Sequence, residues 1–299
     1  MKLETFLGNL ETKNPHWHPS RGNAGDGLIQ AGLFALCQRL GLKLEVVEYP
    51  REQTGQHVLL MGAGGFCKGT WHMVDPVRFY ASRFEHVTIL PATFEPSFPP
   101  VAKLLRELPT NVTVFCRERT SFEAAQKLAP RPENIFLDHD MAFQIDVSPW
   151  KKTGGGELNC FRTDNESRLW RIPKPNFDIS NMGREFHHTL LLDMLANFET
   201  INTDRLHVTI AGAMLGKKVR VFANSYHKNR SMYEHSLRDQ YPNVTLGKPE
   251  ELKALIRASD KEFIHYNIAR TLLRLPKGEV LRRAYKKRRQ SRNQEGPLF

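Results

Sequence analysis

Cysteine is scarce in this chain. There are four in 299 residues, Cys37, Cys67, Cys116 and Cys160, and none forms a C-x-x-C pair. That spacing argues against a disulfide-stapled module and against a cysteine metal cluster, and it predicts buried thiols in a reducing compartment. Long apolar runs are also missing, so no segment is expected to span a bilayer. The opening stretch, MKLETFLGNLETKNPHWHPS, lacks the apolar core and small-residue cleavage site of a secretion signal. The expectation is a cytoplasmic protein. The glycine loop in SRGNAGDGLIQ lacks dinucleotide-fingerprint spacing and the Lys-Ser/Thr of a phosphate loop, and no short repeat is found.

Acidic residues are outnumbered, 32 against 43 basic, for a net charge of +11. The excess is unevenly placed. RRAYKKRRQSR, residues 282–292, carries Arg282, Arg283, Lys286, Lys287, Arg288, Arg289 and Arg292, which leaves four net positives for the rest of the chain. The charge therefore describes a tail, 277–299, and not a basic binding face.

What is present is enough apolar material, 40% of residues, for one or two cores. HVLLMGAGG (57–65), HVTILPATF (86–94), NVTVFC (111–116) and NIFL (134–137) read as strands alternating with helices such as VAKLLREL (101–108). SPWKKTGGGE (148–157) reads as a polar linker, after which the rhythm restarts: strands at LNC, ETINTD, KVRVFAN and NVTLG, helices at 185–198, 205–216 and 249–276. The expectation is α/β, with two Rossmann-like domains, 1–150 and 156–276, facing a cleft. Ligands of such sheets bind at the carboxyl ends of the strands.

Several polar motifs fall at those ends. In SRGNAGDGLIQ, Gly25 and Gly27 allow close backbone approach to an anion at a helix N-terminus; Asn23 and Asp26 either cap that helix or orient a substrate hydroxyl. MGAGGFCKGTWH brings Gly64 and Gly65 into a second glycine turn, with Lys68 and His72 near the same edge. FCRERTS sets Arg117 at a strand end, where it can grip a carboxylate or phosphate bidentately or pair at the surface with Glu118 or Glu123; Ser121 is placed to open the next helix. LDHD carries Asp138 and Asp140 at the following strand end, with no acidic partner segment that would complete a metal site. NCFRTD gives Arg162 the equivalent place in the second half. TDRLH puts Arg205 and His207 two residues apart, able to converge on one ligand if the segment is extended or turning, with Leu206 offering its N–H. The loop FANSYHKN adds His227 and Lys228.

Taken in order, NAGDGLI, GAGG, LPATF, CRERTS, LDHDMAF, FRTD and TDRLHVTIAGAMLGKKVRVFANSYHKN resemble the polysaccharide pyruvyltransferase family, over residues 23–229. CRERTS carries Arg-Glu where Arg-Asp is common. The resemblance implies a GT-B-like pair of domains. It implies transfer of the enolpyruvyl carbons of phosphoenolpyruvate to a sugar of an exopolysaccharide or other cell-surface glycan, as a pyruvate ketal with phosphate release. The family's R-L-H motif falls on Arg205, Leu206 and His207, and its first-domain arginine on Arg117. Two arginines suit a donor carrying both carboxylate and phosphate, and an imidazole suits proton transfer near neutral pH. No cofactor or metal is required by this chemistry, because arginines and glycine-turn amides can meet the charge.

Other readings compete. A nucleotide-sugar glycosyltransferase of the same fold would also use glycine turns and a basic second domain; donor dependence separates the two. The basic tail fits an anionic membrane surface holding a lipid-linked glycan acceptor. Nucleic acid is disfavoured, because the positives are confined to one end and Tyr285 is their one interleaved aromatic. A solvated tail with no partner is the plain alternative.

Overall fold

The computed structural model describes residues 1–20, 22–164, 167, 169, 171–182, 188–223 and 226–259. Among them, the first half forms one sheet from β1 (His16–His18), β2 (Glu45–Val46), β3 (Gly55–Leu60), β4 (Ala63–Phe66), β5 (Phe84–Phe94), β6 (Val112–Cys116) and β7 (Ile135–Leu137). The order is β2-β1-β3-β5-β6-β7, with β4 also paired to β5, and every pairing is parallel. The second half forms a parallel sheet from β8 (Glu157–Cys160), β9 (Thr200–Thr203), β10 (Lys218–Val221) and β11 (Val244–Leu246), in the order β11-β10-β9-β8. The protein is α/β and Rossmann-like in both sheets.

The helices are α1 (Leu3–Gly8), α2 (Ala24–Leu40), α3 (Val74–Ala81), α4 (Pro99–Arg106), α5 (Arg119–Leu128), α6 (His188–Ala196), α7 (Leu206–Met214) and α8 (Lys228–Met232). Parallel strands need helical crossovers, so both sheet faces are covered and central strands become apolar on both sides. β3, β5 and β6 obey this. Val58, Ile89 and Val114 enter one core cluster and Leu59, Leu90 and Phe115 another, on the opposite face. Alternation along each strand separates the two sets.

One helix serves both halves. Ile29, Leu33 and Leu36 of α2 pack on the first sheet. Ala24 and Leu28, one turn earlier, join Ala142 and Val147 in a core with Leu192, Leu206 and Ile210. The halves are thus welded by an apolar seam; each fully buried leucine there is worth about 1.5–3 kcal/mol. The glycine-rich stretch expected as a linker is pinned as well. Gly155 N–H donates to Asn197 O (2.9 Å), and Lys217 Nζ donates to the carbonyls of Lys152 (2.8 Å) and Ala196 (2.7 Å).

Three local expectations change. GAGG is not simply a turn: Ala63–Phe66 is a strand on β5, because the backbone there still has a sheet edge to bond. α5 is opened by Glu118, whose carboxylate accepts Ser121 N–H at 3.1 Å; Ser121 Oγ instead bonds the backbone of Phe94. Lys228 lies on a short helix and not in a loop; the chain then widens to an i→i+5 turn, Arg238 N–H to Tyr233 O at 2.8 Å. The four cysteines are buried, and none is in a disulfide. No helix of the described residues is long and apolar enough to cross a membrane. The predicted helix 249–276 is described to residue 259, and residues 185–187 and the tail 277–299 lie outside the described residues.

Candidate functional site

A cleft of about 420 Å³ lies between the two halves, within the size range of small-molecule sites. Of the residues singled out from the sequence, Asn23, Asp26, Gly64, Gly65, Lys68, His72, Arg117, Arg162, Arg205, Leu206, His207 and Lys228 line it, whereas Gly25, Gly27, Ser121, Asp138, Asp140 and His227 do not. Gly25 stands directly behind His207. A Cβ at position 25 would fall 2.6 Å from His207 Nδ1, so the imidazole occupies the space that only glycine leaves.

The first wall is built from loop ends. Asn23 caps α2: its Oδ1 accepts Gly25 N–H (2.8 Å), while Asp26 Oδ2 accepts Asn23 N–H (2.9 Å), a reciprocal capping box. Asp26 is therefore a cap that also faces the cleft. Beyond β4, Thr70 Oγ1 donates to Gly64 O (2.8 Å), and His72 Nε2 lies 2.8 Å from Ser20 Oγ. Burial lowers the His72 pKa, against the opposing pull of Asp26, so this imidazole is neutral at pH 7. Ala63, at φ 45°, is the one non-glycine residue in the left-handed region among those described, a strained position beside the cleft glycines.

Arg117 leaves β6 at 1% exposure. It is not a surface cation paired with Glu118 or Glu123. Adjacent residues of an extended chain point to opposite sides, and Arg117 turns inward. Its Nε donates to Thr93 Oγ1 (2.8 Å) and its Nη1 to Asp140 Oδ2 (2.8 Å). Asp140 also accepts Ala142 N–H (2.9 Å) and lies 3.5 Å from His207 Nε2. Burial alone would raise the Asp140 pKa, but His207 and Arg117 reverse that and hold the carboxyl well below the usual carboxylate range. The 3.5 Å approach is long for a hydrogen bond, and among the described residues His207 Nε2 has no closer polar partner than this carboxylate.

The second wall carries two paired arginines. Arg205 sits at the N-cap of α7 with extended backbone, and His207, two residues later, lines the same cleft. The Arg205 guanidinium is clamped by Asp178 through Nε and Nη2, and Nη2 also donates to Asp164 Oδ2 (2.8 Å). Arg162 meets the same Asp164 bidentately, at 2.9 and 3.1 Å, and its N–H donates to Asp204 (2.8 Å). Burial would raise the Asp164 pKa, but Arg162 and Arg205 hold it down to about 2. Lys228, 7% exposed, has its Nζ 4.9 Å from the centre of the Tyr226 ring.

The cleft is lined by five cations, Lys68, Arg117, Arg162, Arg205 and Lys228, and two carboxylates, Asp26 and Asp164. Asp140 and Asp178 stand behind the arginines and fix their planes. Such a site can hold an oxyanion against preset guanidinium groups and offer two imidazoles, His72 and His207, from opposite walls. Asp138 is not part of it. That carboxylate faces Leu3 N–H (2.6 Å) and Lys2. Among the described residues no three His, Cys, Asp or Glu side chains are grouped as metal ligands.

Reading the sequence did not single out Ser20, Gly22, Thr70, Asp178 or Ser180. Ser180 Oγ lines the cleft and, among the described residues, has no hydrogen-bond partner at 2% exposure. Each is a single residue with no helical or strand period around it, so only tertiary convergence reveals it.

No family model matches the chain. General stress protein 30 of Bacillus subtilis (strain 168) is 25% identical over 151 residues, 44% of this chain and 42% of that protein, so the match spans about two fifths of the relative's length. Among solved structures, a functional uncharacterized protein from Klebsiella pneumoniae subsp. pneumoniae NTUH-K2044 is similar at a TM-score of 0.71 and 26% identity, covering 82% of this chain and 96% of that one.

Proposed function

We propose that the chain is a transferase that moves the enolpyruvyl carbons of phosphoenolpyruvate onto a sugar, with release of phosphate. The observation that supports this reading is convergence. Arg117 from the first half, and Arg205 and His207 from the second, line one cation-rich cleft. Phosphoenolpyruvate carries a carboxylate and a phosphate on a three-carbon unit, and guanidinium forks on two walls suit that pair of anions. A cleft of about 420 Å³ also leaves room for an acceptor beside so small a donor.

The chemistry balances without another reactant. A sugar hydroxyl adds to C2 while the methylene carbon gains a proton; phosphate leaves with the electrons of its C–O bond; a second hydroxyl closes the ketal and loses its proton. His207 is assigned the proton transfer on the donor side, and Arg117 and Arg205 the charge. In this reading the two sheets stand as a GT-B-like pair about the cleft. The basic run 282–292 would hold the enzyme at an anionic membrane surface where a lipid-linked acceptor resides.

The test is to incubate the protein with phosphoenolpyruvate and lipid-linked or nucleotide-linked sugars, then follow phosphate release and product mass. Release that requires both substrates, with a product heavier by one ketal-linked pyruvate, is the expected result. Consumption of a sugar nucleotide in the absence of phosphoenolpyruvate would move the assignment to a glycosyltransferase.

A further inference from the structure

Glu118 is completely buried and plays no part in the chemistry above. Its partners come from both halves. It caps α5 by accepting Ser121 N–H on both oxygens at 3.1 Å. It also accepts Ser231 Oγ (2.6 Å) and meets His227 Nε2 (3.2 Å), both from the α8 region of the second half. Thr120 adds to the junction, with its N–H (3.2 Å) and Oγ1 (3.0 Å) on Ser231 Oγ. Burial would raise the Glu118 pKa, but His227, Ser121 and Ser231 together bring it below the usual glutamate value, so the carboxylate is charged.

The neighbours in sequence give this junction its meaning. Arg117 precedes Glu118 and lines the cleft; Lys228 follows His227 and lines the same cleft. A bond between residues 118 and 227 therefore fixes the separation of two cleft cations that belong to different sheets. On the α2 side the halves are joined by apolar packing, which resists separation but tolerates small slides. Directional hydrogen bonds to a buried charge tolerate far less.

We propose that Glu118 is a positioning residue: by bridging to His227 and Ser231 it sets the spacing of Arg117 and Lys228, so that both cations engage one ligand carrying two anionic groups. The ligand side of this proposal rests on the reading of the cleft as a phosphoenolpyruvate site; the bridge itself does not.

Glu118→Asp separates the two jobs of this side chain. Aspartate is a strong N-cap, so α5 keeps its start. The side chain is one methylene shorter and cannot span to α8. The expected result is a folded protein whose affinity for phosphoenolpyruvate, measured by calorimetry, falls about tenfold or more as the charge-assisted contacts lose their alignment. Hydrogen exchange should accelerate over residues 228–238 and stay unchanged over 119–128. His227→Gln should weaken binding similarly, and the double variant should be no weaker than the weaker single, because both remove one bridge.

Parent-like exchange over 228–238 in Glu118→Asp overturns the bridge. Accelerated exchange with parent affinity for phosphoenolpyruvate overturns the positioning role but leaves the donor reading intact. A parent protein that binds neither phosphoenolpyruvate nor inorganic phosphate at millimolar concentration overturns the donor reading and the positioning role with it, while the exchange arm still decides the bridge.

Discussion

His207 Nε2 lies 3.5 Å from Asp140 Oδ2, with the imidazole backed by Gly25, so that residues from three separate segments of the chain hold one ring at the cleft wall. Asp140 is shared: it also receives Arg117 Nη1 at 2.8 Å. A single buried carboxylate thus orients a cation and an imidazole from opposite halves. Neither relationship is local in sequence, and each supplies a test.

Asp140→Asn keeps the side chain's shape and removes its charge. Arg117, 1% exposed, is then left as a buried cation with neutral partners. Breaking a buried pair in this way costs about 3–5 kcal/mol. Chemical denaturation should show a loss of that order at pH 7. The sign with pH follows from the depressed carboxyl: its contribution is present above the ordinary aspartate range and disappears only as pH falls through the lowered folded value. The variant should therefore differ from the parent at pH 5 as much as at pH 7. A loss below 1 kcal/mol would mean that Arg117 finds its charge balance elsewhere.

Gly25→Ala and Gly64→Ala distinguish a packed glycine from a cleft-facing one. The first Cβ meets His207 at 2.6 Å, whereas the second meets nothing within 4 Å. Gly25→Ala should displace the imidazole and lower turnover even under saturating substrate. Gly64→Ala should unfold at the parent temperature and act, if at all, on KM by narrowing the cleft. Equal kinetic effects from both would mean that His207 is not held against α2 as described.

Much of this architecture was legible beforehand, for identifiable reasons. HVLL, HVTILPATF, NVTVFC and KVRVFAN are apolar runs long enough to declare central parallel strands. β1, HWH, was not read, because three residues with two half-buried histidines carry no such signal. That Arg205, His207 and Arg117 would line a cleft was legible because polar groups at strand ends are expected to face one. Their carboxylate partners were only partly so. Asp140 stood at a strand end, but nothing in FDISN marks Asp178 as the clamp of Arg205, 27 residues away. A surface pairing of Arg117 with Glu118 or Glu123 is one of two readings the sequence allows; the alternation of the extended backbone sends Glu118 to α8 instead.

Histidine burial predicts an acid-sensitive fold. His57 is 6% exposed, with Nε2 2.8 Å from Thr88 Oγ1, and burial, helped by His86, lowers its pKa to about 4. The unfolded chain then binds a proton more readily than the folded one between pH 6.5 and 4. Stability should be full above pH 6.5 and fall as pH drops toward 4. His57→Gln, which retains a polar contact to Thr88 without the titration, should flatten that part of the curve. An unchanged slope from pH 6.5 to 4 would remove His57 as its source.

Ser180 offers the opposite case, a polar group whose removal should not harm the fold. Its Oγ is buried with no hydrogen-bond partner among the described residues, and a buried unsatisfied hydroxyl opposes folding by about 1–3 kcal/mol. Ser180→Ala takes away that penalty at nearly constant volume. Its melting temperature should equal or exceed the parent's. Ser180 also lines the cleft on the wall of Arg162 and Arg205, so the same variant should weaken the binding of phosphoenolpyruvate if the hydroxyl turns to an oxyanion once one is present. Stability and affinity would then move in opposite directions, which a purely structural serine does not produce. A lowered melting temperature with unchanged affinity would show that the hydroxyl supports the turn that follows Asp178, and would remove it from the ligand site.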